Sequence, residues 1–208
     1  MAAGDLCTLQ DVRAFLQKAD TDTAQDALIA SFIIRASTAI GRWCEREFAP
    51  QTAAGVTRLF EVDWDSESYV SFAPYDLASA SAVTIDPDMG TGFVLPAAQY
   101  RLYPVNRPLG VYTGMKVIPL MFATGPVLFS NRQVSITGTW GFPSVPADVA
   151  YATVITVAMW LRQDMSAFGT NVLLDDDGGE SGDVLPRMVG AVPPGARTLL
   201  APYRRTAI

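Results

Sequence analysis

Along the chain, the spacing of apolar residues changes twice, from a helical period to an alternating one and back. In TLQDVRAFLQKAD, Leu9, Val12, Phe15 and Leu16 recur at helical spacing, and Thr8 stands as an N-cap with Asp11 three residues on. This predicts an amphipathic helix over 8–19. A longer helix is predicted over 23–46, capped by Thr23 with Asp26 at its third position. Leu28, Ile29, Phe32, Ile33, Ala36, Ile40 and Trp43 form its apolar line, and Arg35, Arg42 and Glu45 lie off it. Gly41 weakens this helix slightly, and Pro50 falls beyond its end.

From Gly55 to Trp140 the period falls to two. VTRLFEVDWD puts Leu59, Glu61, Asp63 and Asp65 on one face and Phe60, Val62 and Trp64 on the other. SYVSFAPY, SASAVTID, AQYRLY, MKVIPLMF and RQVSITGTW are further short β-branched or aromatic runs. They are parted by DPDMGTG, NRPLG and ATGP, whose residues favour turns. The β region predicted over 55–140 is a small sandwich or barrel-like sheet. Pro119 assigns its strand to an edge or a bulge.

The helical period returns at Ser144 and predicts a helix over 145–166, with Ser144 as cap and Pro146 in the first turn. Val149, Ala152, Thr156, Met159 and Trp160 make one face. Ile155, Val157, Ala158 and Leu161 cover much of the rest, so this helix is either central to the fold or wedged between subunits. The expected class is α+β: an N-terminal helical pair and a long late helix packed with a small β-sheet insertion, plus an extended C-terminal tail. Residues 1–168 form the core. Residues 169–183, GTNVLLDDDGGESGD, read as an acidic flexible loop, and 184–208 as the tail. In the tail Ala196, Leu199, Leu200 and Tyr203 recur at i, i+3, i+4 and i+7. Pro194 suits a helix start, and Pro202 limits the helix to one or two turns.

Composition narrows the function classes. Half of the 208 residues are hydrophobic and 17% are charged, which suits a packed core and not global disorder. There is no uninterrupted apolar run of about 18 residues, so no membrane span is expected. The start, MAAGDLCTLQ, lacks the basic and apolar segments of an export signal. Cys7 and Cys44 are expected to be reduced, part-buried thiols. A net charge of -6 argues against a dedicated DNA-gripping module. Its distribution is uneven. Leu59 to Asp88 holds seven carboxylates and no Lys or Arg, whereas Met89 to Ala147 holds four basic residues and no carboxylate. Either a sparsely charged β region sorted itself by chance, or an acidic and a basic face meet between copies.

Catalytic chemistry is hard to assemble from these residues. There is no histidine, which removes the usual general base near neutral pH and most zinc sites. The cysteines have no metal-ligand spacing, DDDGGESGD lacks the spacing of an EF-hand loop, and no nucleotide-binding glycine motif occurs. Asp63 and Asp65 share one face of an alternating strand and read as a solvated pair more readily than as a glycosidase dyad. Arg101, Arg107 and Lys116 are too dilute among their aromatic neighbours to make a nucleic-acid stacking surface the leading reading. No enzyme, cofactor or metal site is expected.

The order of elements resembles the head–tail connector, or adaptor, family of tailed bacteriophages. Four places carry the resemblance: the opening pair of helices ending in WCEREF, the strand QYRLYP, the run VSITGTWGFPSVPADVAYATVITVAMWLRQ, and the closing LPRMVGAVPPGARTLLAPYRR. The resemblance implies a structural protein of the virion neck, assembled in the host cytoplasm. It would form a homo-oligomeric ring, usually dodecameric, below the portal protein and above a head-closure (stopper) or tail protein. The ring would extend the channel for genomic DNA without reading its sequence. It also implies that the C-terminal segment docks on the portal. That role falls on Leu199, Leu200, Tyr203, Arg204 and Arg205, with Ala196 and Arg197 on the same short helix. Glu61, Asp63 and Asp65 are the candidates to face the channel, where like charge would keep DNA from sticking. The length of the acidic loop departs from the family pattern. A head-closure or tail-terminator protein, or a non-viral β-rich ligand-binding module, is the alternative reading.

Overall fold

In the computed structural model of the chain, residues 4–19, 23–48, 53–61, 69–85, 92–107, 109–118, 133–170 and 191–205 are described, those of 164–170 by backbone alone. Thr8 closes a capping box at the start of α1 (Leu9–Phe15): the Asp11 amide donates to Thr8 Oγ1 at 3.1 Å, and the Thr8 amide donates to Asp11 Oδ2 at 2.8 Å. The helix is shorter than the expected 8–19 because Gln17 turns left-handed, at φ 54°. α2 (Asp26–Cys44) also differs at its start. Gln25 is its N-cap and makes no side-chain capping bond; the Thr23 carbonyl, not the hydroxyl, takes the Asp26 amide at 3.1 Å. The Asp26 carboxylate is engaged elsewhere, accepting from Arg13 Nε at 2.9 Å and Nη2 at 2.8 Å. A two-point ion pair between helices thus takes the carboxylate that the sequence placed in a local cap.

α3 (Ala147–Thr170) runs beyond the expected end at 166. The Pro146 carbonyl accepts from the Ala150 amide at 3.0 Å, so the proline precedes the first turn and does not sit within it. α4 (Pro194–Leu200) starts on its proline and tightens into a 3-10 turn at Ala201–Tyr203, where Pro202 forbids a longer α-helix.

The chain divides into two compact units: a helical unit of residues 1–45 with 145–208, and a β unit of residues 46–144. In the helical unit Val12 of α1, Ile29, Phe32, Ile33 and Ala36 of α2, and Val157 and Trp160 of α3 form one core. Thr153 and Thr156 are fully buried, and their hydroxyls donate to carbonyls one turn back, at 2.8 Å and 2.7 Å. Met159, grouped by its spacing with Val149, Ala152, Thr156 and Trp160, is 38% exposed although those four are buried, and Tyr151 is exposed as well. Leu28 of the α2 apolar line is likewise exposed. Of the described helices, α2 is the one long and apolar enough to cross a membrane by length and composition, although no such span was expected. Its apolar residues also form part of the helical core.

The β unit holds β1 (Val56–Glu61), β2 (Tyr69–Ser71), β3 (Leu77–Ile85), β4 (Phe93–Val94), β5 (Tyr100–Tyr103), β6 (Gly114–Val117) and β7 (Gln133–Trp140). They make two antiparallel sheets, ordered β1-β7-β3-β4 and β2-β6-β5. The described architecture is therefore α+β, as expected. Phe60, Phe72 and Trp140 pack ring to ring at 5.3 to 5.7 Å in the core of this unit. The expected edge or bulge is not seen in the strand before Pro119: β6 ends at Val117 and is the central strand of its described three-stranded sheet. Pro119 itself lies outside the described residues.

The GTWGF run acquires a physical reason. A Cβ on Gly138 would collide with the Ser79 carbonyl oxygen, where β3 is irregular in its pairing with β7. Trp140 fills the core and donates Nε1–H to the Val56 carbonyl at 2.9 Å. Gly141 sits at φ 97° and donates its amide to the Asp76 carbonyl at 2.8 Å. The Asp76 carboxylate is buried against Arg46, at 2.6 Å.

Candidate functional site

The C-terminal segment packs into the helical unit. Trp160 donates Nε1–H to the Ala191 carbonyl at 3.2 Å, which ties the start of the segment to α3. From there Val192, Ala196, Leu200 and Tyr203 are buried. The Arg205 amide donates to the Cys44 carbonyl at 3.1 Å and joins the end of the segment to the last turn of α2. The apolar stripe read from the sequence exists, but three of its four residues, Ala196, Leu200 and Tyr203, are turned into their own unit; Leu199 is half-buried. Arg197 and Arg204 are exposed and Arg205 is half-buried.

Tyr203 Oη donates to Asp148 Oδ2 at 3.4 Å. Burial, and then the Asp148 carboxylate, raise the phenol above its ordinary pKa, so it stays a neutral donor across the physiological range. Cys7 and Cys44 are free and buried. Burial first, then Asp11 and Asp5, push the Cys7 thiol up to about 12.

Beside this segment the helical unit carries a pocket of about 460 Å³, lined by Ile34, Arg35, Thr38, Ala39, Arg42 and Trp43 of α2, Trp160 of α3, and Ala191, Val192 and Arg197. Arg35 lies over the Phe32 and Trp160 rings, 5.3 and 5.9 Å from their centroids. Arg197 donates Nε–H to the Val192 carbonyl at 2.7 Å, which fixes its side chain. Arg204 lies over Trp43 at 5.4 Å. None of the described lining residues is acidic. Sequence reasoning placed Arg35 and Arg42 off the apolar line of their helix and went no further. Their spacing of seven puts them on one side of α2, and that was the available signal.

The channel-facing candidates are placed only in part. Glu61 is exposed at the end of β1, on the same face as Thr57 and Leu59. Asp63 and Asp65 lie outside the described residues, as does most of the acidic stretch 169–183. Among the described residues no group of acidic, cysteine or histidine side chains is arranged to hold a metal ion.

No protein-family model and no curated protein matches the chain. Among solved structures it is similar to a chain of the neck of an empty GTA particle computed with C6 symmetry. The TM-score is 0.54 at 18% sequence identity, over 99% of this chain and 92% of that one.

Proposed function

We propose that this chain is a non-catalytic structural protein of the neck of a phage-like particle, working as one copy in a ring. The observation that carries the reading is the fold shared, nearly end to end, with a chain from the neck of a gene transfer agent particle. The sixfold symmetry of that neck supports copies arranged in multiples of six about an axis, and a dodecamer fits that count. Ring-closing contacts are heterologous, one face of a copy meeting a different face of the next. The separation of acidic and basic stretches along the β-region sequence suits contacts of that kind.

In this reading the ring stands between portal and tail and extends the DNA channel. Glu61 and its neighbours Asp63 and Asp65 line it with like charge, so DNA passes without sticking. The C-terminal segment docks on the portal. Because Ala196, Leu200 and Tyr203 are occupied within the helical unit, docking falls first on the exposed Arg197 and Arg204, with Leu199 and Arg205 beside them. Each copy contributes a few charge-assisted contacts, and repetition round the ring makes the attachment strong.

Electron microscopy of the purified chain, alone and with portal-bearing capsids, tests the reading. Rings that cap the portal vertex are expected. A chain that stays monomeric at all concentrations and never joins capsids overturns it. Arg204→Glu with Arg205→Glu should leave ring formation intact and reduce attachment to capsids. Unchanged attachment removes the docking role from these two residues.

A further inference from the structure

Apart from Arg197, the arginine pocket of the helical unit has a chemistry that the neck reading does not use. We propose that it is a binding site for an acidic peptide segment of a partner polypeptide, its guanidinium groups taking carboxylates and its tryptophan and aliphatic walls taking an adjoining apolar side chain.

Three arginines, Arg35, Arg42 and Arg197, share one concavity of about 460 Å³ with no acidic residue among the described lining side chains. Cations gathered in this way repel one another, and here the fold holds them. Arg35 is stacked on Phe32 and Trp160, and Arg197 is fixed through Nε to the Val192 carbonyl. Guanidinium groups fixed in advance lose little freedom when a carboxylate arrives, and their fork matches its two oxygens. Arg13 and Arg46, by contrast, already face carboxylates at 2.8 and 2.6 Å.

The rest of the lining defines the partner's other half. Trp160 and Val192 give an apolar floor, and Ile34, 56% exposed, forms a hydrophobic rim beside Arg35. An acidic side chain next to a leucine or similar residue satisfies both parts. A nucleic-acid backbone does not suit it. Phosphates need a long basic track, whereas this pocket admits one or two side chains, in a protein of net charge -6.

The test titrates the full-length chain with a short fluorescein-labelled peptide alternating glutamate with leucine and reads anisotropy. Saturable binding that weakens as salt is raised is expected. The double variant Arg35→Glu/Arg42→Glu should weaken it by about tenfold or more. Among the described residues Arg42 makes no stacking contact of the kind Arg35 makes. Arg42→Glu alone therefore guards against a folding artefact and should still weaken binding several-fold, whereas Arg42→Lys should retain most of it. Undiminished binding by both reversal variants, or equal binding of the peptide with glutamine in place of glutamate, overturns the proposal. So does displacement of the peptide by millimolar inorganic phosphate, which marks a small-anion site, or by a DNA duplex, which marks a backbone site. Monomers suffice for this measurement, so its failure leaves the neck reading untouched.

Discussion

In the β unit Arg46 is buried and faces the buried Asp76 carboxylate at 2.6 Å; in the helical unit Arg35, Arg42 and Arg197 stand round an open pocket with no acidic neighbour among its described lining. The same side chain does opposite work in the two places. Removed from water, a guanidinium needs its countercharge, and the pair becomes part of the framework. Left at the surface, it needs no fixed countercharge, because solvent screens it. The first kind should dominate stability, the second recognition.

The strongest way to probe this difference is Asp76→Ala, which takes away the carboxylate that buried Arg46 faces. It should cost about 3–5 kcal/mol in urea unfolding. The double change Arg46→Met with Asp76→Leu should recover most of that loss, because neither desolvated charge remains. Next, Leu200→Ala removes a fully buried side chain of the C-terminal segment and should cost about 2–5 kcal/mol. A cost near zero would mean that the segment is not held on the helical unit in solution. Arg13→Ala should fall lower, at about 1–3 kcal/mol, since its partner Asp26 keeps some contact with water. At the other end of the scale, Arg42→Glu should change stability by no more than about 0.5 kcal/mol. A large loss there would erase the distinction between the two kinds of arginine.

The smallest expected effect concerns pH. The folded pKa of Tyr203 is raised above the unfolded value of about 10. Its contribution to stability is therefore complete below pH 10 and lost as pH rises from there through the folded pKa. Unfolding curves should show a modest alkaline loss in the parent and a smaller one in Tyr203→Phe. Cys7 behaves in the same sense, so native protein should resist alkylation at that thiol at pH 8 and react once unfolded.

What could be read in advance follows the range of the interactions. The Thr8 cap was legible because both partners lie within one turn. Asp26 was misread as a local cap because its partner, Arg13, is on another helix. β4, two residues long, carries no period to detect. Pro119 suggested an edge strand, but β6 stops before reaching it. The inward and outward faces of β1 were correct as far as Glu61, since alternation is a property of the strand alone.

By itself the sequence determined the class of the fold and the order of its elements, since periodicity, caps and breakers act over a few residues. It also determined that the last segment would carry an apolar stripe among arginines. Only the tertiary structure decided which way that stripe points, because the same spacing serves a partner's groove or the chain's own core equally well. Burial of Ala196, Leu200 and Tyr203 turned it inward and brought Arg197 to Arg35 and Arg42 around one pocket. Residues so far apart along the chain meet only once the helices pack, and no local pattern records the meeting.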